Sequence, residues 1–176
     1  MNKLLYILRH AKSDWDHAGL VDNQRPLNER GRQDAVRMGR WIKDNGFCPA
    51  SIYCSPATRA VETVQPVINM CGLSESSVEY SSELYLASLE KLLQILVDIE
   101  SSPSPVMLVG HNPGLDDLVT YLSDRAPPLT ENGKLMTTTC LAQFSMTQKW
   151  DSLLNKAKLK SIKRTKDLNT LHKTEK

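Results

Sequence analysis

The chain lacks any long apolar run. Its longest stretches, such as Val106 to Gly110, fall far short of the roughly 20 residues that a bilayer demands, so no membrane-spanning segment is expected. A secretory leader is not expected either, because the apolar run Leu4 to Leu8 meets Arg9 and His10 at once. A C-x-x-C pair is also missing. The four cysteines, Cys48, Cys54, Cys71 and Cys140, are scattered, which argues against a disulfide framework or a thiolate zinc site and for reduced, structural thiols. There are no internal repeats and no low-complexity tracts. Together these absences predict a soluble cytoplasmic protein with no membrane partner.

What is present suffices for one core. With 176 residues and 40% hydrophobic content, the chain reads as one domain over residues 1–150, followed by a basic C-terminal segment, 151–176. The formal net charge of +2 conceals the asymmetry behind that division. From Lys149 onward nine Lys or Arg face three Asp or Glu, against thirteen and seventeen in the rest. The segment carries no aromatic residues interleaved with its charges, so nucleic acid is not an expected partner. Its alternation of Lys158, Lys160 and Lys163 with Leu159 and Ile162 fits an exposed edge strand or a helix.

Strand and helix signals alternate through the body. Lys3 to Leu8 has the near-continuous apolar character of a strand buried on both faces. A polar loop, Ala11 to Pro26, leads to a helix capped by Asn28, with Ala35, Met38, Trp41 and Ile42 as its apolar stripe and Asn45-Gly46 as its end. Ser51 to Cys54 reads as a strand, and Ser55-Pro56 as the cap and first position of a helix reaching about Met70. Val78 to Tyr80 reads as a short strand, and Ser88 caps a helix to about Glu100. Val106 to Val109 is a buried strand, Gly114 to about Ser123 a helix, Cys140 to Met146 a strand, and Trp150 to Leu154 a turn region. Such alternation predicts an α/β three-layer sandwich whose central sheet is largely parallel and flanked by helices.

Ligands of open α/β sheets bind beyond the carboxyl ends of the strands. Three such ends carry polar residues: Arg9-His10, Ser55 to Arg59, and His111-Asn112. Two arginines and two of the chain's four histidines thus share one edge. That set suits phosphoryl transfer, where positioning and charge neutralisation supply most of the catalysis. Arg9 and Arg59 each offer a planar fork of donors to phosphate oxygens. A neutral imidazole is a competent nucleophile toward phosphorus. Helices beginning near Ser55 and Pro113 would add oriented N–H groups.

Four ordered segments carry a family resemblance: Leu8-Arg9-His10-Ala11-Lys12-Ser13; Arg25-Pro26-Leu27 with Gly31; Ser55-Pro56-Ala57-Thr58-Arg59-Ala60 with Glu62-Thr63; and Val109-Gly110-His111-Asn112-Pro113. Through them the chain, over residues 3–146, resembles the histidine phosphatase superfamily and its SixA-like phosphohistidine phosphatase branch. The resemblance implies a phosphoglycerate mutase-like fold and no metal or organic cofactor. It implies His10 as the nucleophile that is transiently phosphorylated, with Arg9, Arg59 and His111 holding the phosphoryl group. Arg25 and Asn112 are expected to bind phosphate, and Glu83, in Ser82-Glu83-Leu84-Tyr85, matches an acid that protonates the leaving group. The short interval between Arg59 and His111 leaves no room for the insertion that walls in small metabolites in relatives. The expected partner is therefore a phosphohistidine-bearing protein, with a small phosphomonoester as the alternative substrate, a non-catalytic phosphohistidine-binding module as the alternative role, and a monomer or weak dimer as the expected state.

Two competing chemistries read less well. Cysteine-dependent phosphatases need C-x5-R, whereas Cys54 and Arg59 stand at C-x4-R. Asp14, Asp16 and His17 could hold a divalent ion, but a solvated loop at the mouth of the site accounts for them better.

Overall fold

The structure is a computed structural model, and it describes residues 3–15, 19–146, 150 and 157–170. Six strands form one sheet: β1 (Lys3–Arg9), β2 (Ser51–Cys54), β3 (Val78–Tyr80), β4 (Val106–Gly110), β5 (Leu141–Met146) and β6 (Ala157–Lys163), in the order β3-β2-β4-β1-β5-β6. The pairings from β3 through β1 are parallel, and β5 and β6 join antiparallel. The basic segment supplies β6 at the sheet's edge, where its exposed lysines Lys158 and Lys160 leave the edge unattractive to another strand.

Alternation along the central strands decides which helix lies where. Leu5 and Ile7 of β1, with Val106 and Leu108 of β4, point into a core shared with α3 (Leu89–Asp98) and α4 (Gly114–Leu122). Tyr6 and Leu8, with Met107 and Val109, point the other way, onto α1 (Glu29–Asp44) and α2 (Thr58–Cys71). Strands buried on both faces must be apolar at every position, and all five residues of β4 are buried.

The helix signals translate into local bonds. Asn28 caps α1 by accepting from the Gly31 N–H at 2.8 Å, and Ser88 caps α3 by accepting from Lys91. Gly39 of α1 lies against Pro66 of α2, where a Cβ would come within 3.1 Å of that proline. That contact lets the two helices approach closely. The expected start of α2 at Ser55 is corrected: the helix begins at Thr58, with no side-chain cap. The Ser55 hydroxyl is buried beside His111, and the N–H it accepts from is that of Ala57, ahead of the helix.

The thiols need a second correction. Cys48, just beyond α1, and Cys71, the last residue of α2, form a disulfide. Spacing of 23 along the chain gave no hint of it, because only the packing of α1 on α2 brings the two ends together. Cys54 and Cys140 are free and buried, and burial pushes both thiols up, that of Cys140 to about 12. An oxidising environment keeps such a disulfide closed, and a reducing one opens it. Alkylation of the denatured, unreduced chain should therefore label two cysteines, rising to four after reduction, as read by intact mass.

Candidate active site

The site is assembled where β1, β2 and β4 end side by side. Arg9 is in register with Gly110, and the His10 N–H donates to the Gly110 carbonyl at 3.1 Å. On the other flank Ser55 N–H donates to Val109 at 3.0 Å. Consecutive strand ends thus deliver His10, Ser55 and His111 to one place. His10 and His111 help bound a pocket of about 350 Å³, whose walls include Arg9, Arg25, Arg59 and Asn112. The His10 and His111 ring centres are 5.0 Å apart.

Hydrogen bonds fix which ring nitrogens face a ligand. The His10 Nδ1 lies 2.7 Å from the Ala11 carbonyl, which can only accept, so Nδ1 carries the proton and Nε2 keeps its lone pair. The His111 Nε2 lies 2.8 Å from the Ser55 hydroxyl, which itself accepts from the Ala57 N–H at 3.4 Å. The Nδ1 of His111 is buried and has no partner among the described residues.

Burial and the surrounding cations keep both rings neutral. His10 is lowered to about 4, first by desolvation and then by the charges of Arg59, Arg9 and Arg25, against the opposing bond to Ala11. His111 is lowered to about 3, by desolvation and then by His10 and Arg59. A cationic partner histidine is therefore disfavoured in the empty pocket.

The arginines are held from behind. Arg9 donates to the Met136 carbonyl at 2.5 Å, and Asn112 donates to the same carbonyl at 3.2 Å. Asp116, in the first turn of α4, accepts from the Met136 N–H at 2.9 Å and sets that turn in place. Arg59 is 3% exposed and places both terminal nitrogens on Asp22, at 2.6 Å to its carbonyl and 2.9 Å to its carboxylate. Arg25 reaches the same carboxylate at 2.8 Å, donates to Ser13 and stacks 3.4 Å above the Trp15 ring. Thr63 accepts from the Ala11 N–H and Glu62 from that of Leu27, so α2 pins the loop that carries Arg25.

Of the residues expected from sequence, His10, Arg9, Arg59, His111, Arg25 and Asn112 line one pocket, and Glu83 does not. Glu83 pairs with Lys91 at 2.7 Å in an exposed salt bridge. Its neighbour Tyr85 faces the site instead, packing edge-on against His111 and donating to Asp22 at 2.5 Å. Sequence reasoning missed Asp22, whose carboxylate joins Arg25, Arg59 and Tyr85 and is lowered by the Tyr85 bond and by both guanidiniums. The i,i+3 spacing of Asp22 and Arg25 across a 3-10 turn was the available signal. Of the proposed metal cluster, Asp16 and His17 lie outside the described residues, and no group of three metal-binding side chains occurs among those described.

Two residues near the pocket adopt left-handed backbone that side chains disfavour: Leu86 at φ 49° and Thr139 at φ 56°. Leu86 lines the pocket mouth with its side chain exposed, and the Thr139 N–H donates to the His10 carbonyl. Strain retained at such positions marks a site whose geometry the surrounding fold over-determines.

Depressed histidines have a direct consequence. Both bind fewer protons folded than unfolded between about pH 4 and their ordinary value near about 6.5. Their contribution to stability is complete above that ordinary value and is lost as pH falls toward 4. Ring NMR signals of His10 and His111 should stay in the neutral form from pH 8 down to about 5.5. A midpoint near about 6.5 for either ring would contradict the geometry.

The profile of the histidine phosphatase superfamily (branch 1) matches residues 5–94. An uncharacterised chloroplastic protein of Arabidopsis thaliana is 32% identical over 131 residues, which is 70% of this chain and 60% of that protein. The fold is the phosphoglycerate mutase-like sandwich of solved SixA structures. A putative phosphohistidine phosphatase SixA from Agrobacterium tumefaciens is 25% identical, with a TM-score of 0.75 over 92% of this chain and 97% of that one. The protein histidine phosphatase SixA complexed with tungstate is 23% identical, with a TM-score of 0.77 over 94% and 99% of the two chains. A family match over more than half the chain, meeting a strand edge that gathers Arg9, His10, Arg59 and His111, has one reading: the chain belongs to the histidine phosphatase superfamily.

Proposed function

We propose that the protein is a metal-independent phosphohistidine phosphatase that works through a phosphorylated His10. The observation that carries this reading is the unprotonated Nε2 of His10, left free by the Nδ1 bond to Ala11, in a pocket ringed by three guanidiniums. In the first step Nε2 attacks phosphorus, a P–N bond forms to His10, and the substrate's P–N bond breaks in line with it. Water then attacks the phosphorylated His10, releasing inorganic phosphate and restoring the ring. Arg9, Arg59 and a ring N–H of His111 neutralise charge on the nonbridging oxygens in both steps. Arg25 and Asn112 complete the cradle.

The substrate class follows from what the pocket does not offer. Among the described residues no carboxylic acid stands ready to protonate a poor leaving group: Glu83 is turned to Lys91, and Asp22 is held as a carboxylate. An imidazole protonated on its distal nitrogen leaves as a neutral ring, so a P–N bond needs the least help. The mouth suits a protein surface, because Trp15 (76% exposed) and Leu86 (53%) form an apolar rim that a small phosphometabolite would not cover. Similarity to a SixA structure holding tungstate, a phosphate-like oxyanion, supports an anion at this place.

His10→Ala should lower the specificity constant by at least about a thousandfold on every substrate, and Arg25→Ala by about tenfold. A panel of phosphohistidine protein, phosphotyrosine peptide and sugar phosphates should rank phosphohistidine first. A sugar phosphate preferred by about a hundredfold would overturn the substrate assignment.

A further inference from the structure

Beside the catalytic pocket lies a second, polar recess of about 220 Å³. Thr138 lines both, so the two share a wall. The contact is tight, because the next residue, Thr139, donates its N–H to the His10 carbonyl. Four cations from separate parts of the chain meet here: Arg30 from the first turn of α1, Lys134 from the loop before β5, Arg164 just after β6, and Lys166 from the turn that follows.

Most of this charge is unanswered. Asp34 is the carboxylate in the recess, and it is already shared between Arg30 at 3.6 Å and Arg37 at 3.4 Å. Neither Lys134 nor Lys166 forms an ion pair with a described carboxylate. Arg164 is held in place by donating to the carbonyls of Pro128 and Leu135, at 2.7 and 3.0 Å, while its buried Nε–H has no partner. The hydroxyl-bearing residues Thr137 and Thr138 line the same hollow. The excess basic charge of the C-terminal segment thus acquires a place next to the active site.

We propose that this recess binds an acidic side chain, Asp or Glu, of the phosphoprotein whose phosphohistidine occupies the His10 pocket. The inference rests on the phosphohistidine reading and sharpens it: the substrate carries a carboxylate near its phosphorylated histidine. The recess's small volume admits a carboxylate-sized group and no large body. The exposed rim of Trp15 and Leu86 already favours a protein over a metabolite. Charge pairing at such a margin acts mainly on encounter and specificity, not on the chemical step. The recess therefore governs which proteins are dephosphorylated, and leaves turnover of a bare P–N bond untouched.

The test uses the full chain and three substrates: phosphoramidate, and two phosphohistidine peptides differing only in Glu or Ser at positions flanking the histidine. Wild type should prefer the acidic peptide by about tenfold in kcat/KM, with the preference falling as salt is raised. The double variant Lys134→Met, Lys166→Met should lose that preference and its salt dependence, while hydrolysing phosphoramidate and the Ser peptide within about twofold of wild type. Equal use of the two peptides by wild type would overturn the inference, as would a matching loss on phosphoramidate in the variant. Preference for a doubly phosphorylated small molecule over the acidic peptide would overturn it too. Absence of any P–N hydrolysis in wild type would instead refute the phosphohistidine reading, and this inference with it.

Discussion

The parallel pairing of β1 with β4 is the constraint on which the rest depends. Leu5 to Arg9 lie in register with Val106 to Gly110, and the ladder is extended by one bond, from His10 N–H to the Gly110 carbonyl. Because parallel strands end at the same edge, the residues that follow them, His10 and His111, come together. A slip of one residue would turn every side chain of β1 to the opposite face. It would exchange the two cores and take the Arg9 guanidinium away from the carbonyl of Met136. Burial of both faces thus fixes register, and register fixes the site.

Much of this could be read from the sequence because it rests on short-range pattern. The strand runs, the Asn28 and Ser88 caps and the edge placement of polar residues are local signals, and they located five of the residues that line the pocket, with Arg25 added by the family resemblance. What could not be read depends on contacts between distant segments. Glu83 and Tyr85 are two residues apart, and nothing local says which of them turns inward. Asp22 gains its importance from Arg59 and Tyr85, 37 and 63 residues away. The Cys48–Cys71 bond depends in the same way on how α1 packs against α2. Ser55 looked like a helix cap because its own neighbourhood fits one, and His111, 56 residues on, claimed its hydroxyl.

Electrostatics explain why the pocket can exist before a phosphate arrives. Three guanidiniums crowd two histidines, and desolvation would make that arrangement costly without a counter-charge. The histidines respond by staying neutral, which removes two charges and keeps the His10 lone pair available. Asp22 supplies the remaining compensation, by a carboxylate that reaches both Arg25 and Arg59 and also the Tyr85 hydroxyl. A carboxylate is a partial mimic of phosphate in charge and in acceptor geometry. The empty pocket therefore holds its arginines around a carboxylate, as the proposed reaction would hold them around a phosphoryl group.

That arrangement also shapes the reaction. Arg59 gives both terminal nitrogens to Asp22, so a bound phosphoryl group must share them with it or displace it. Sharing is feasible because Asp22 lies on the solvent side, with its side chain 45% exposed, whereas Arg59 is almost wholly buried. The mobile partner in such a pair is the exposed one, which regains water when it yields. Under the proposed function, phosphate replaces the Asp22 carboxylate with little rearrangement of Arg59, and the barrier to reaction carries little cost for moving the charged groups that stabilise it. The positive donors are fixed by burial and the negative one is left able to yield, and under the proposed function this division lets one pocket be stable when empty and attractive to phosphate.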